Sequence, residues 1–347
     1  MLRQLNNRFS RWYDSCDFPS GTYDGARKLL MPPDFFFSML AKRSYSLYRL
    51  WDIWADATKV LFPVRAHEKD GSPELFEFNS RYVDDLRSTG VTEIPDAFPQ
   101  DWIEEARDYI MGRFRAALEK LEKMSNESEE EIRWYDEDGV FVYCSPRQGR
   151  YRFGFPTDPV GREKLPRPIQ EFMRLPVAHQ IIEEYYGMSV TPCRPGCMAE
   201  VMLPGNDVEQ WHIDCFRKGV KAFLYLTEVT AAQAPFRYLT GTHVPDSEAH
   251  RHIYSVGRTG TSEAYYDEST NRRYDEEAQV FTRPANTLLL FDNRGRHAGS
   301  ACTEGMRVVL VNGFRPATST RINPMLIPHL SPAKDGNQRR NQREMGR

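Results

Sequence analysis

The chain after Gly187 consists of short runs of β-forming residues separated by turns, and this pattern most narrows the folds that it can adopt. No helical period lies between the runs, which argues for an antiparallel sandwich or barrel. We therefore predict a mainly β core. The runs are Ala199–Leu203, Ala222–Leu226, Ala234–Leu239, Thr287–Asp292 and Val308–Phe314.

In the first half of the chain, apolar residues recur every three or four positions, which predicts helices. One amphipathic helix covers residues 101–124, with Asp101 as its N-cap. Another helical stretch, at about 168–186, contains Pro176, so we expect a break near Leu175 and two short helices. Two further helices are predicted at about 33–42 and 45–60.

These patterns divide the chain into three parts. Residues 1–160 are predicted to form a helical, aromatic-rich N-terminal elaboration, residues 161–330 the β core, and residues 331–347 a disordered basic tail. A polar insertion at 257–283 interrupts the β region and is predicted to be a surface loop or lid. The N-terminal aromatics could pack on the core or on a second subunit, which leaves a homo-oligomer open.

Composition excludes several classes of protein. The 347 residues are 40% hydrophobic and 27% charged, with a formal charge of −3, unlike a disordered chain or one strongly attracted to nucleic acid. No run of 18 apolar residues is present, so no membrane span is predicted. The six cysteines follow no zinc or disulfide spacing, and no secretory signal is recognisable, so we expect a cytoplasmic protein.

Three residues have the types and spacing of a metal site. His212 and Asp214 form a His-x-Asp pair, and side chains two positions apart on an extended strand point to the same face. His297 follows 85 residues later, at the end of an apolar strand. Two imidazoles and one carboxylate form the facial triad of non-haem Fe(II) oxygenases, which leaves coordination positions open for a cosubstrate and O₂.

Arg307 follows His297 by ten residues and opens the last predicted strand. Oxygenases of this kind place a cation there for the distal carboxylate of 2-oxoglutarate, and the arginine fork suits a bidentate carboxylate contact. Taken alone, the two residues are more simply a loop histidine and an exposed strand-end charge. Their joint spacing with the His-x-Asp pair favours the oxygenase.

The same residues carry a resemblance to a known family. The segment Trp211–Asp214 resembles the W-H-x-D motif of the phytanoyl-CoA dioxygenase family, and His297–Ser300 with Arg307 resembles its distal motif. The segment Thr240–His243 is similar to the family's P-G-[ST]-H turn, with threonine in place of the proline. The resemblance covers about residues 185–316.

This resemblance implies a double-stranded β-helix (a cupin-like jelly roll) that binds Fe(II) and 2-oxoglutarate and uses O₂. The family's metal ligands correspond to His212, Asp214 and His297, and its 2-oxoglutarate arginine corresponds to Arg307. The implied reaction is hydroxylation of a small-molecule substrate with release of succinate and CO₂. Because Asp214 is present, hydroxylation, desaturation or ring formation is favoured over halogenation.

Several neighbouring residues are weaker candidates. Ser300 and Tyr225 are candidates to hydrogen-bond the cosubstrate carboxylates, with ordinary packing as the alternative. Gln210, Trp211 and Arg217 flank the metal segment and are candidate substrate contacts.

Two other functions stay open on the same fold. A divalent-metal hydrolase, using zinc, would employ the triad to activate water, but it gives no reason for Arg307 at its spacing. A non-catalytic, cupin-like binding protein gives no reason for two histidines and an aspartate to converge. The near-neutral charge argues against a nucleic-acid substrate.

Overall fold

A computed structural model of the chain describes residues 77–124, 132–187, 190–192, 197–205, 210–214, 219–244, 246, 248–249, 252 and 266–316. The predicted helices at 33–42 and 45–60 and the predicted tail lie outside this part. The chain divides into two compact units, and the one formed by residues 63–249 and 263–318 contains every element described below.

Two antiparallel sheets contain the strands of the described residues. The strands are β1 (Val91–Ile94), β2 (Ile132–Tyr135), β3 (Phe141–Ser145), β4 (Arg150–Gly154), β5 (Val190–Pro192), β6 (Met198–Met202), β7 (Val220–Tyr225), β8 (Phe236–Tyr238), β9 (Gln279–Phe281), β10 (Leu288–Asp292), β11 (His297–Gly299) and β12 (Arg307–Pro316). The large sheet follows the path β1–β10–β7–β12–β6–β4–β3–β2, with β5 also paired to β12, and the small sheet has the order β11–β8–β9.

The small sheet packs on the inner face of the large sheet. Side chains from both sheets share one apolar cluster, in which the ring centroids of Phe236 and Phe291 lie 4.4 Å apart. Two facing antiparallel sheets with this strand order form a double-stranded β-helix, the jelly-roll arrangement. The fold class predicted from the sequence is therefore confirmed.

Helices pack on the outer face of the large sheet. They are α1 (Ser80–Ser88), α2 (Gln100–Met124), α4 (Arg167–Arg174) and α5 (Pro176–Tyr186), and the short α3 (Pro159–Glu163) precedes α4. The predicted break is confirmed, because Leu175 adopts the left-handed conformation (φ 42°) between α4 and α5. Helix α2 begins one residue earlier than predicted, so Asp101 lies in its first turn and not at its N-cap.

Among the described residues, no helix has the length and apolar character needed to cross a membrane.

Two regions differ from the sequence predictions. The insertion at 257–283, predicted as a loop or lid, contains helix α6 (Glu268–Glu277) and strand β9 in its described part. Tyr274 is the residue that this helix buries, so apolar residues do not recur in its sequence every three or four positions. Asp267 caps the helix by accepting a hydrogen bond from the Thr270 N–H. The region before the predicted core, expected to be helical, also supplies β1 to β4, which are short strands with weak apolar alternation.

Candidate metal centre

His212, Asp214 and His297 form a cluster whose ligand atoms all lie within 4.8 Å of one another. Asp214 faces both imidazoles: its Oδ2 is 3.1 Å from His297 Nε2, and its Oδ1 is 3.8 Å from His212 Nε2. Both histidines are buried. The fold thus brings together the three residues that the sequence predicted as metal ligands.

A backbone bridge places the two histidines side by side. The N–H of His212 donates to the carbonyl of His297 and the N–H of His297 donates to the carbonyl of His212, at 3.0 Å each. His297 opens β11, which pairs with β8, so the small sheet supports both ligands. The imidazole centroids lie 4.4 Å apart.

Backbone carbonyls also determine which nitrogen of each imidazole faces Asp214. His212 Nδ1 lies 2.8 Å from the Gln210 carbonyl, and His297 Nδ1 lies 2.9 Å from the Gly295 carbonyl. Because a carbonyl only accepts, each Nδ1 carries the proton and each Nε2 presents a lone pair. Metal-binding histidines are commonly oriented in this way by a hydrogen bond from the other ring nitrogen.

The chemistry of the cluster fits a divalent metal ion. His297 Nε2 is buried and makes no hydrogen bond, although Asp214 Oδ2 lies 3.1 Å away. Lone pairs on the two atoms therefore face each other, and a cation held between them would stabilise this arrangement. Two imidazole nitrogens and a carboxylate are donors that suit Fe(II) and also Zn²⁺.

Lys221 lies beside the cluster and was not singled out from the sequence. Its Nζ is 2.5 Å from Asp214 Oδ2. Burial by itself would raise the pKa of Asp214, but the charge of the Lys221 ammonium holds that pKa well below its ordinary value. The carboxylate is therefore ionised at neutral pH, as a metal ligand must be.

A partly exposed strip of the large sheet's inner face leads away from the cluster. Lys221 and Phe223 on β7 pair in register with Gly313 and Val311 on β12, and all four are partly exposed. Their neighbours along each strand, which point to the outer face, are buried. This strip gives a small molecule a surface on which to lie next to the cluster.

Arg307 lies on the same inner face, at the beginning of β12, and is only 3% exposed. Its Nη2 donates to Glu200 Oε1 at 2.7 Å, and its Nη1 donates to the Ala234 carbonyl. Its Nε–H is buried without a hydrogen-bond partner. Arg307 is therefore a buried guanidinium with an unused donor and not an exposed strand-end charge.

Glu200 on β6 is the acidic partner of Arg307. Its other oxygen, Oε2, accepts from Arg152 Nε at 2.7 Å, and Arg150 Nε lies 3.8 Å from the same atom. Burial would raise the pKa of Glu200, but the neighbouring arginines lower it to about 2. Glu200 therefore stays ionised and holds the Arg307 guanidinium in one orientation.

The two predicted cosubstrate residues have different surroundings. Tyr225 is fully buried on the inner face, its hydroxyl lies 3.4 Å from the Phe281 carbonyl, and burial raises its pKa to about 12 despite the nearby Arg307 charge. Ser300 follows β11, and its N–H donates to the Pro235 carbonyl at 3.1 Å. Their contacts with a cosubstrate stay predictions.

The three residues predicted as substrate contacts next to the metal segment differ in their surroundings. Arg217 lies outside the described residues. Gln210 has an exposed side chain and orients His212 through its backbone carbonyl. Trp211 is only 1% exposed, and its indole Nε1–H donates to Asp275 Oδ1 at 2.8 Å. The ring is buried against helix α6, and the substrate contacts predicted for Gln210, Trp211 and Arg217 stay predictions.

Three charged residues around the cluster, Lys221, Glu200 and Asp275, were missed by sequence reasoning, and they fall into two kinds. Lys221 and Glu200 are charges at inward-facing positions of apolar strands, where an unpaired charge is costly. A charged residue within an apolar strand can be recognised from the sequence alone, and this signal could have identified both. Asp275 has no comparable signal, because its partner Trp211 is 64 residues away in the chain.

No protein-family model matches the chain, and no curated protein matches it. Comparison with solved structures returns the non-haem alpha ketoglutarate-dependent carbocyclase SnoK from nogalamycin biosynthesis, with 16% identity, 70% of this chain and 86% of SnoK covered, and a TM-score of 0.44. AviO1 from Streptomyces viridochromogenes Tue57 has 12% identity, coverages of 70% and 96%, and a TM-score of 0.45. HygX from Streptomyces hygroscopicus, solved with nickel, 2-oxoglutarate and hygromycin B, has 17% identity, coverages of 69% and 88%, and a TM-score of 0.38. Similarity at this level carries no argument about substrate or reaction, so the function is inferred from the site.

Proposed function

We propose that the protein is an Fe(II)- and 2-oxoglutarate-dependent oxygenase, similar to the phytanoyl-CoA dioxygenase family, that hydroxylates a small molecule. One juxtaposition carries the proposal: the cluster of His212, Asp214 and His297 shares the inner face of the barrel with the buried Arg307. A metal site alone would suit many reactions. A cosubstrate with a carboxylate at each end needs a metal for one end and a cation for the other.

The residues of the cluster would hold the metal on one face. When bound, Fe(II) and 2-oxoglutarate supply the activation of O₂, and the products are succinate, CO₂ and the oxidised substrate. His212 and His297 present Nε2 because the carbonyls of Gln210 and Gly295 hold their Nδ1 protons. Asp214 supplies an ionised oxygen and reduces the net charge of the site.

The residues away from the cluster would bind and orient the cosubstrate. Arg307 donates its unused Nε–H to the distal carboxylate, while Glu200 keeps the guanidinium in place. Phe223 and Val311 line the strip between the two ends and exclude water from it. Tyr225 adds a hydroxyl donor next to Arg307.

The carboxylate of Asp214 bears on the reaction type. With a metal bound, Asp214 would be the carboxylate ligand in whose place related halogenases bind chloride. Hydroxylation, or desaturation or ring formation on the same site, is therefore favoured over halogenation. O₂ and a small-molecule substrate are the partners that this reaction requires.

A zinc hydrolase is the second candidate, because the donor set also suits Zn²⁺. Such an enzyme would need a base next to the metal-bound water. In the described part of the chain, the cluster contains no carboxylate besides Asp214, and Lys221 pairs with that one. A non-catalytic binding protein, the third candidate, would not need the Nε2 atoms and the carboxylate to converge.

Anaerobic spectroscopy tests the proposal. The protein, freed of metal and then given Fe(II) and 2-oxoglutarate without O₂, should develop a weak visible charge-transfer band, and addition of O₂ should release succinate. His212→Ala should lose the band because a ligand is missing. Arg307→Ala should raise the Kd of 2-oxoglutarate by about 100-fold, the effect of losing a charge-assisted carboxylate contact.

A matched control lies on the same strand. Arg315→Ala removes another arginine of β12 and should leave 2-oxoglutarate binding unchanged. If Arg307→Ala binds 2-oxoglutarate as tightly as the wild type, the cosubstrate assignment is wrong. If Zn²⁺ binds but Fe(II) with 2-oxoglutarate gives neither band nor succinate, the hydrolase is the better assignment.

A further inference from the structure

Helix α6 contacts the residue that precedes each metal-binding histidine. We infer that α6 is a brace that positions His212 and His297 for the metal, and that Asp275 is its principal positioning residue. The inference rests on the proposed metal site, but not on the identity of the substrate. It gives residues 266–283, the described part of the insertion predicted as a surface loop or lid, a role in supporting the two histidines.

The first contact is with Trp211, directly before His212. The Tyr266 N–H, two residues before α6, donates to the Trp211 carbonyl at 3.1 Å. The Trp211 indole donates to Asp275 Oδ1 at 2.8 Å, and its ring packs edge-on against Tyr274 with centroids 5.7 Å apart. Main chain and side chain of Trp211 are thus both held by this segment.

The second contact is with Arg296, directly before His297. Arg296 Nε donates to the Tyr266 hydroxyl at 3.1 Å, and Arg296 Nη2 donates to both oxygens of Asp246 at 2.9 and 3.0 Å. The guanidinium carbon also lies 5.5 Å from the centre of the Tyr274 ring. The same two tyrosines therefore contact the predecessors of both histidines.

Arg237 joins the two contacts. It pairs with Asp275 Oδ1, the atom that also accepts from the Trp211 indole, and its guanidinium carbon lies 5.1 Å from the centre of the Trp211 ring. Its Nη2 donates to the Gly299 carbonyl at 2.9 Å, two residues after His297. Through Arg237, Asp275 thus connects the segment that contains His212 to β11, the strand that begins with His297.

The direction of the side chains explains why these contacts bear on the metal. Successive side chains of an extended segment point to opposite sides, so Trp211 and Arg296 face α6 while His212 and His297 face Asp214. A shift of the backbone at either predecessor would move the imidazole next to it. Metal sites depend on such supporting contacts to keep their ligands in place.

Metal binding by the purified protein tests the brace. We expect Asp275→Ala to weaken Co²⁺ binding about 10-fold, the lower end of what supporting contacts around a metal site contribute, and to shift the visible d–d bands of bound Co²⁺. Asp275→Asn keeps an oxygen acceptor for the Trp211 indole and should restore most of the affinity. Trp211→Phe keeps a ring but removes the N–H, so it should act in the same direction as Asp275→Ala.

Glu276→Ala is the matched control, because Glu276 is the next acidic residue of the same helix and is exposed, as Asp275 also is. It should leave both the Kd and the spectrum unchanged. If Asp275→Ala and Trp211→Phe lower the melting temperature but bind Co²⁺ with wild-type affinity and spectrum, α6 is only structural and the inference is wrong. If the wild-type protein binds no divalent metal, the proposed function fails together with the inference.

Discussion

His212 and His297 are joined by a pair of backbone hydrogen bonds, each N–H donating to the other residue's carbonyl at 3.0 Å. Residues so far apart in the chain thereby become direct neighbours through an isolated β-bridge. The bridge involves main-chain atoms alone. The bridge therefore fixes the two backbones next to each other without using either imidazole.

We predict that His212→Ala abolishes tight metal binding with little effect on folding. Loss of a ligand should weaken Co²⁺ binding by more than about 100-fold, since even supporting residues cost 10- to 100-fold. The backbone bridge does not need the imidazole, so the melting temperature of the metal-free protein should change little. Titration calorimetry and thermal melts measure the two effects, with Gln210→Ala as control, because Gln210 has an exposed side chain and contacts His212 through its carbonyl, which the change keeps. Unfolding of the metal-free variant would show that the ring itself holds the strands.

Lys221→Met should strengthen metal binding. The Lys221 ammonium lies 2.5 Å from Asp214 Oδ2, so it competes with a divalent ion for the same carboxylate. Two unit charges about 4 Å apart repel by roughly 1–4 kcal/mol at effective dielectric constants between 80 and 20. The Kd of Co²⁺ should therefore fall by about 10-fold or more. Lys221→Arg keeps the charge and should behave as the wild type; weaker binding by Lys221→Met would instead make Lys221 a residue that orients Asp214.

The sequence was sufficient to predict the parts of the fold that have a strong local signal. The break at Leu175 follows from Pro176, and the strands of the core follow from their β-forming runs. The ligand set was predictable because a His-x-Asp pair and a distal histidine must converge to be useful. Arg307 could be placed on its strand, but its burial and its pairing with Glu200 could not, because they depend on the neighbouring strand.

The remaining features depend on contacts between distant segments. Helix α6 has a polar sequence that does not indicate a packed element. Its place in the fold is evident only from the contact of Asp275 with Trp211 and from the contact of Tyr266, two residues before the helix, with Arg296. Strands β2 and β3 pair with each other, and β3 pairs with β4. Their sequences are short, so they adopt the strand conformation because the neighbouring strand of the sheet stabilises it. Local propensity is a weak guide for such segments, because tertiary packing decides their structure.

Tyr225→Phe separates cosubstrate binding from packing. The hydroxyl of Tyr225 makes one long hydrogen bond, 3.4 Å to the Phe281 carbonyl, so its loss should cost the fold only about 1 kcal/mol. If the hydroxyl also donates to the distal carboxylate of 2-oxoglutarate, the Kd of 2-oxoglutarate should rise by about 10-fold, whereas Co²⁺ binding stays constant. Equilibrium unfolding in urea and anaerobic titration of 2-oxoglutarate provide the two readings. An unchanged Kd would assign Tyr225 to packing.

Glu200→Gln should destabilise the protein in a manner that depends on pH. The pKa of Glu200 is about 2 in the folded protein against an ordinary value of 4.5, because Arg152, Arg307 and Arg150 outweigh the effect of burial. A lowered folded-state pKa contributes stability that is present above pH 4.5 and is lost as the pH falls toward about 2. The shift corresponds to about 3 kcal/mol at neutral pH.

The difference in unfolding free energy between the wild type and Glu200→Gln should therefore be constant from pH 7 to about pH 5. It should shrink steadily from about pH 4.5 to pH 2, because only the wild type takes up a proton at this position on unfolding. Urea unfolding at a series of pH values measures the difference and cancels the contribution of the other carboxylates. Glu276→Gln, an exposed change on helix α6, should show no such trend. A difference that stays constant down to pH 2 would mean that Glu200 stabilises Arg307 through hydrogen bonding alone and not through its charge.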